Sequence, residues 1–188
     1  MNNLNLKEIT EGLISTFLKA GKTAREISDR GVKVTIKPDK SPVTDGDLAV
    51  DTILKTKIKL LTPNINIISE ETVNLNSKNN LKNFWLLDPI DGTRDYIKKK
   101  DEYTLNASLI IDLKPAIGMI YAPAKDRLFY SYGDNLAFEF SNKKTKKLNC
   151  DKKKIDQIIG LENSGTTPEE VLNIYKKCKV SKTLKMSS

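Results

Sequence analysis

FWLLDPIDGT, Phe84 to Thr93, is the stretch whose reading decides how this chain folds. Phe84, Trp85, Leu86 and Leu87 form an apolar run without a polar interruption, which predicts a short strand covered on both faces. Pro89 has no N–H to give to a ladder and restricts its predecessor. It therefore predicts that the strand ends there, with Asp88 in the last position and its carboxylate free of the sheet. Asp91-Gly92 bends the chain a second time. Two carboxylates three residues apart around such a bend can converge on one point, with the Ile90 carbonyl between them. Hard oxygen donors gathered in this way suit Mg2+.

Upstream, Ile65 to Ser69 (INIIS) reads as a second apolar strand that also ends in acid, at Glu70 and Glu71. If the two strands are neighbours, Glu70, Asp88 and Asp91 crowd onto one end of a sheet, where open α/β sheets bind ligands. Like charges that close repel unless a cation lies among them. A third element, SPVTDGD (Ser41 to Asp47), precedes the periodic apolar residues Leu48, Ala49, Ile53, Leu54, Ile58 and Leu61. These predict an amphipathic helix opening near Thr44 or Asp45. Asp47 then has two readings, as part of an N-cap or as a group that holds the Thr93 hydroxyl toward an attacking water. Taken singly, Asp-Pro and Asp-Gly are turn dipeptides and Glu-Glu is a solvated strand end. Their joint placement after apolar strands favours a site.

Working outward, Leu6, Ile9, Leu13, Phe17, Ala20, Ala24 and Ile27 keep helical spacing, and Gly31 supplies a stop. Val32 to Lys37 alternates as a half-exposed strand. Beyond Tyr103 the pattern predicts an antiparallel meander: Thr104 to Ile111, Pro115 to Tyr121, Arg127 to Tyr132 and Leu136 to Phe140. The outcome is an α+β or layered αβ domain with its helices on one face. After a lysine-rich linker, Gln157 to Leu161 reads as a strand. Thr167-Pro168-Glu169-Glu170 then predicts a capping box with proline at the first helical position, and that helix ends near Cys178.

Of the 188 residues, 38% are apolar and 30% charged, an ordinary globular mixture. No run approaches 18 apolar residues and the first ten residues hold no apolar h-region, so neither a membrane span nor a signal peptide is expected. The expected location is cytoplasmic, with attachment to the inner face of the membrane left open. Cys150 and Cys178 lack CxxC spacing and read as reduced thiols. The absence of histidine removes Ser-His-Asp and Cys-His triads and His-based zinc sites, so hydrolysis would have to be run by water on a carboxylate-held ion. The net charge of +8 concentrates at Lys98 to Lys100 and across Lys143 to Lys154. Such a surface attracts polyanions, a bisphosphorylated small molecule among them. No aromatic residues interleave the clusters, so a solvated lysine face is favoured over a nucleic-acid surface.

The set K37-x-x-x-S-P-V-T-x-x-D47, S69-E-E71 and D88-P-I-D-G-T93 resembles the lithium-sensitive, Mg2+-dependent inositol monophosphatase superfamily. The continuation RDYIKKKDEYTLNASLI followed by KPAIGMIYAP resembles its CysQ type, the 3'(2'),5'-bisphosphate nucleotidases, more than the inositol phosphatases. The resemblance implies the layered αβ sandwich of the sugar phosphatase and inositol monophosphatase type. Residues 1–150 would form the metal-binding domain, and 151–188 the start of a C-terminal α/β domain.

It also implies roles. Glu70, Asp88, the Ile90 carbonyl and Asp91 would hold two or three Mg2+ ions, Asp88 bridging two of them, with Li+ as inhibitor. Gly92 and Thr93 would offer backbone N–H groups to the phosphate. Thr93, held by Asp47, and Glu70 would position and deprotonate the attacking water, and Lys37 would lie near the substrate. The implied substrate is a small phosphorylated nucleotide, 3'-phosphoadenosine 5'-phosphate. An inositol phosphate is the alternative. One departure stands out: the family's W-D-x-A-A-G-like segment, which carries a further ligating aspartate, is not found here. The expectation is a second domain only begun, by natural truncation or frameshift, leaving impaired activity, an inactive metal- or phosphate-binding remnant, or self-association as consequences.

Overall fold

The computed structural model describes residues 4–72, 81–149, 157–162, 165 and 167–185. Cys150 and the later part of the predicted lysine-rich linker lie outside them. The chain divides into two compact units, Met1–Leu148 and Asn149–Ser188.

In the first unit, α1 (Leu6–Arg30) opens on Asn5, whose side chain accepts from the Glu8 N–H. It closes at Gly31, held at a φ of 92°. A hairpin of β1 (Val34–Ile36) and β2 (Pro42–Thr44) follows, then α2 (Asp45–Leu61), which opens where the sequence predicts. The strands β3 (Asn66–Ser69), β4 (Phe84–Asp91), β5 (Thr104–Ile111), β6 (Lys114–Ala122), β7 (Arg127–Tyr132), β8 (Ala137–Ser141) and β9 (Lys144–Lys147) form one seven-stranded sheet in sequence order. Only β3 and β4 run parallel; every later pair is antiparallel. The short helix α3 (Thr93–Ile97) sits between β4 and β5.

The helices cover one face of this sheet, α2 against β4 and α1 against β6 and β7. Phe17 and Leu13 of α1, Leu54 and Ile58 of α2, and Trp85, Leu105, Leu109 and Met119 of the sheet are all buried in a single core. Trp85 adds a polar tie, its Nε1 donating to Thr62 Oγ1 at 3.0 Å. The apolar run at the start of β4 is therefore not covered on both faces, as its composition predicts. Trp85 and Leu87 point inward, whereas Leu86 is 44% exposed and Ile120 on β6 50%. An antiparallel neighbour on one side permits such one-sided burial, which a fully parallel sheet does not.

Pro89 also does not end the strand. β4 continues to Asp91 through a register shift, with Asp88 opposite Asn106 and Asp91 opposite Thr104. Three steps on β4 match two on β5, so one extra residue is bulged out. Proline is tolerated at a bulge because no ladder bond is demanded of it there.

The lysine-rich strand β9 was hidden in the predicted linker. Its KTKK sequence is exposed throughout and offers no apolar alternation, a composition suited to an edge strand that must not pair further.

The second unit pairs β10 (Ile158–Glu162) and β11 (Val180–Lys185) in parallel, with α4 (Glu169–Lys177) between them. The predicted capping box is absent. Pro168 is itself the N-cap, in an extended conformation, so Thr167 falls one position too early to reach the first turn.

Candidate active site

The bulge in β4 decides the geometry. In a regular strand, residues three apart face opposite sides of the sheet. The extra residue reverses that parity, so Asp88 and Asp91 both lie opposite outward residues of β5, Asn106 and Thr104. The odd spacing of the D-x-x-D pair and the proline between its members thus belong to one device.

Parallel pairing puts Ser69 beside Leu87, and the Glu70 N–H continues the ladder by donating to Leu87 O at 3.0 Å. Glu70 and Asp88 consequently emerge side by side. Together with Ile68, Leu86, Asn106 and Ile120 they line an open cavity of about 700 Å³ on the face opposite the helices.

Asp88 is the most perturbed of these acids. Burial, then the charge of Glu70, a hydrogen bond with Glu70 and the charges of Asp91 and Asp47 push it up to about 7. Its Oδ1 is buried without a hydrogen-bond partner. Burial and the neighbouring negative charges thus make an ionised Asp88 costly, which suits a site that receives positive charge.

The cage is nevertheless not closed. Among the described residues no three Asp, Glu, His or Cys side chains form a ready ligand cluster. Glu70 is half exposed, with its Oε1 3.7 Å from Lys37 Nζ. The donors still fit a hard divalent ion: carboxylates of Glu70, Asp88 and Asp91, and the carbonyl of Ile90, which keeps a free lone pair while accepting from Thr93 Oγ1 at 3.0 Å.

Asp47 completes the predicted N-cap and also reaches Thr93. Its Oδ2 accepts from the Thr44 N–H at 2.8 Å and from the Thr44 hydroxyl at 2.5 Å, completing a reciprocal capping box for α2. Its Oδ1 lies 3.4 Å from Thr93 Oγ1. Burial pushes the Asp47 carboxyl up despite the Thr44 hydrogen bonds that oppose the shift.

Gly92 caps α3 in the left-handed region, φ 92°, where a side chain would be strained. Tyr96 anchors that helix: its ring is buried and its hydroxyl donates to Ala24 O at 2.6 Å. A Cβ on Gly46 would come within 2.5 Å of the Tyr96 oxygen. The glycine of the SPVTDGD segment is thus the gap into which the DGT helix packs.

Lys37 does not stand free for a substrate. Its Nζ lies 2.9 Å from Glu71 Oε2 and 3.1 Å from Oε1. Burial opposes the lysine's charge, but the hydrogen bond and charge of Glu71, with Glu70 and Asp47, hold its pKa above normal. Burial likewise raises Glu71 against the pull of Lys37.

Sequence reasoning missed Glu71 as this partner and also missed a brace behind the acidic turn. Ser69 donates to Asp51 Oδ1 at 2.5 Å, and Lys55 Nζ joins Asp51 Oδ2 at 2.6 Å to Thr72 Oγ1 at 2.9 Å. The i, i+4 spacing of Asp51 and Lys55 on a predicted helix was the one available signal.

The inositol monophosphatase family model matches residues 5–187. The chain belongs to the inositol monophosphatase family. It is 38% identical over 163 residues to the 3'(2'),5'-bisphosphate nucleotidase CysQ of Buchnera aphidicola subsp. Acyrthosiphon pisum, covering 86% of this chain and 60% of that relative's length. Among family structures, CysQ of Bacteroides thetaiotaomicron superposes with a TM-score of 0.72 at 22% identity, covering 99% of this chain and 74% of that one. An IMPase/NADP phosphatase complexed with Mg2+ and phosphate gives 0.71 at 18% identity, covering 96% and 67%. These likenesses place the fold in the layered α+β sandwich of the family. No helix among the described residues is long and apolar enough to cross a membrane.

Proposed function

We propose that the chain is a Mg2+-dependent phosphomonoesterase that converts 3'-phosphoadenosine 5'-phosphate to AMP and phosphate. The observation that carries the reading is Asp88, set beside Glu70 by parallel strand pairing and on one face with Asp91 by the strand bulge, with its own Oδ1 buried and unpartnered. Identity to a relative named as a bisphosphate nucleotidase supports the substrate class.

Glu70, Asp88, the Ile90 carbonyl and Asp91 would hold two or three Mg2+ ions, which supply activation of water and charge stabilisation for the leaving oxygen. The Thr93 hydroxyl spends its single proton on Ile90 O or Asp47 Oδ1, so its lone pairs are left to accept from a water. Glu70, half exposed on the cavity wall, would take the water's proton as the oxygen attacks phosphorus and the bond to the 3' oxygen breaks. Gly92 and Thr93 offer backbone N–H groups to the phosphate at the start of α3. Lys37 would act through Glu71 and Glu70, holding the acidic turn.

A second reading, a protein that binds cation and phosphate without turnover, is favoured by the lack of a closed ligand cluster among the described residues. Phosphate release from 3'-phosphoadenosine 5'-phosphate and from inositol 1-phosphate, each with and without Mg2+, separates the possibilities. The proposal expects Mg2+-dependent release from the nucleotide, lost in Asp88→Asn. An unchanged rate in that variant removes the proposed site.

A further inference from the structure

The bulge that gathers Asp88 and Asp91 also selects what faces them across the ladder. Asn106 is the direct partner of Asp88, and side chains so paired leave one face of the sheet with their Cβ atoms about 5 Å apart. Asn106 lines the same cavity as Glu70 and Asp88. Its Nδ2 donates to Asp91 Oδ2 at 3.5 Å. Its Oδ1 is buried without a partner, and so is Asp88 Oδ1. Turning the amide over would set Oδ1 against the Asp91 carboxylate, acceptor to acceptor, so the bond to Asp91 fixes which end of the amide is left orphaned.

A buried amide oxygen lacking a donor destabilises a fold, and an aliphatic side chain would sit here without that cost, as Leu86 and Ile120 do along the same cavity. Two orphaned oxygens, on adjacent strands and on residues that line one cavity, suit a ligand that brings positive charge or donated hydrogens.

We propose that Asn106 is an unassigned member of the cation site: its Nδ2 holds the Asp91 carboxylate in place, and its Oδ1 gives a neutral oxygen to the ion or to a water the ion carries. This rests on the phosphatase reading above. A neutral donor suits the position, since Glu70, Asp88 and Asp91 already crowd it and a further carboxylate would add repulsion without a cation.

The test is Mn2+ affinity, followed by electron paramagnetic resonance of the free ion, together with thermal unfolding in EDTA. Asn106→Leu is expected to melt at or above the wild-type temperature without metal, yet to bind Mn2+ at least fivefold more weakly. Asn106→Asp, which keeps the oxygen, is expected to melt lower without metal and to bind Mn2+ at least as tightly as wild type. Binding within twofold of wild type in Asn106→Leu overturns the proposal, and so does a marked fall in its metal-free melting temperature, which would make the amide structural. If Asn106→Leu does not fold, weakened binding in Asn106→Asp overturns it and retained binding upholds it. Asp88→Asn separates the two levels. Should it abolish binding while Asn106→Leu does not, only the role of Asn106 fails; should it too leave binding intact, the cation site and the functional reading fail together.

Discussion

Replacing Asp88 by asparagine should make the metal-free protein more stable at pH 8, although the residue lies at the centre of the candidate site. The folded carboxyl titrates at about 7 against 3.8 for an exposed aspartate. A raised pKa contributes stability that is complete below pH 3.8 and is lost as the pH climbs through about 7. At pH 8 the folded wild type therefore carries an ionised Asp88 against Glu70 and Asp91, which the unfolded chain avoids. The rise from 3.8 to about 7 is worth at most about 4 kcal/mol. Partial exposure reduces this to about 2 kcal/mol. Asparagine keeps a donor toward Glu70 and carries no charge, so it should recover most of that sum. For a chain of this size the gain is about 4–8 °C in melting temperature.

The measurement is thermal unfolding by circular dichroism in EDTA at pH 5 and pH 8, then again with Mg2+. The gap should be wide at pH 8 and narrow at pH 5, where wild-type Asp88 already holds its proton. Mg2+ should raise the wild-type midpoint and leave the variant unmoved. A variant that melts below wild type at pH 8 in EDTA, or a gap equal at both pH values, refutes the reasoning.

Asp51→Ala should cost about 2–4 kcal/mol in urea unfolding, because it strands Ser69 and the largely buried Lys55 together. A loss under 1 kcal/mol would show that the brace behind the acidic turn carries little. Gly46→Ala trades a helix-propensity gain of about 1 kcal/mol for overpacking of about 1–3 kcal/mol against the fixed Tyr96 ring, a net loss expected to appear as a lower melting temperature. An unchanged or higher midpoint would mean that Tyr96 moves aside freely.

Much of the architecture was legible before the structure. Period and caps placed α1 and α2, and strand alternation placed the meander from Thr104 to Phe140. What failed at the acidic turn was register, which is a relation between strands and is not written in either one. β9 was missed because an exposed edge strand has no hydrophobic pattern to read. Asn106 was invisible for the same reason: in TLNASLII it is one of the outward polar residues Thr104, Asn106 and Ser108, indistinguishable from a solvated face until β4 is laid against it.

The reading of Pro89 as a terminator shows how the missing term could have been found. Two carboxylates three apart cannot share a face of an unbroken strand, so their convergence requires either a turn or one extra residue. Proline satisfies both descriptions equally well, and only the residues after it separate them. Ile90 is apolar and buried, which a solvated turn would not demand and a continuing strand does. Once Ile90 is seen to be buried, D-P-I-D reads as a bulge: the proline withholds a ladder hydrogen, the isoleucine returns to the core, and the extra residue carries the second aspartate round to the first.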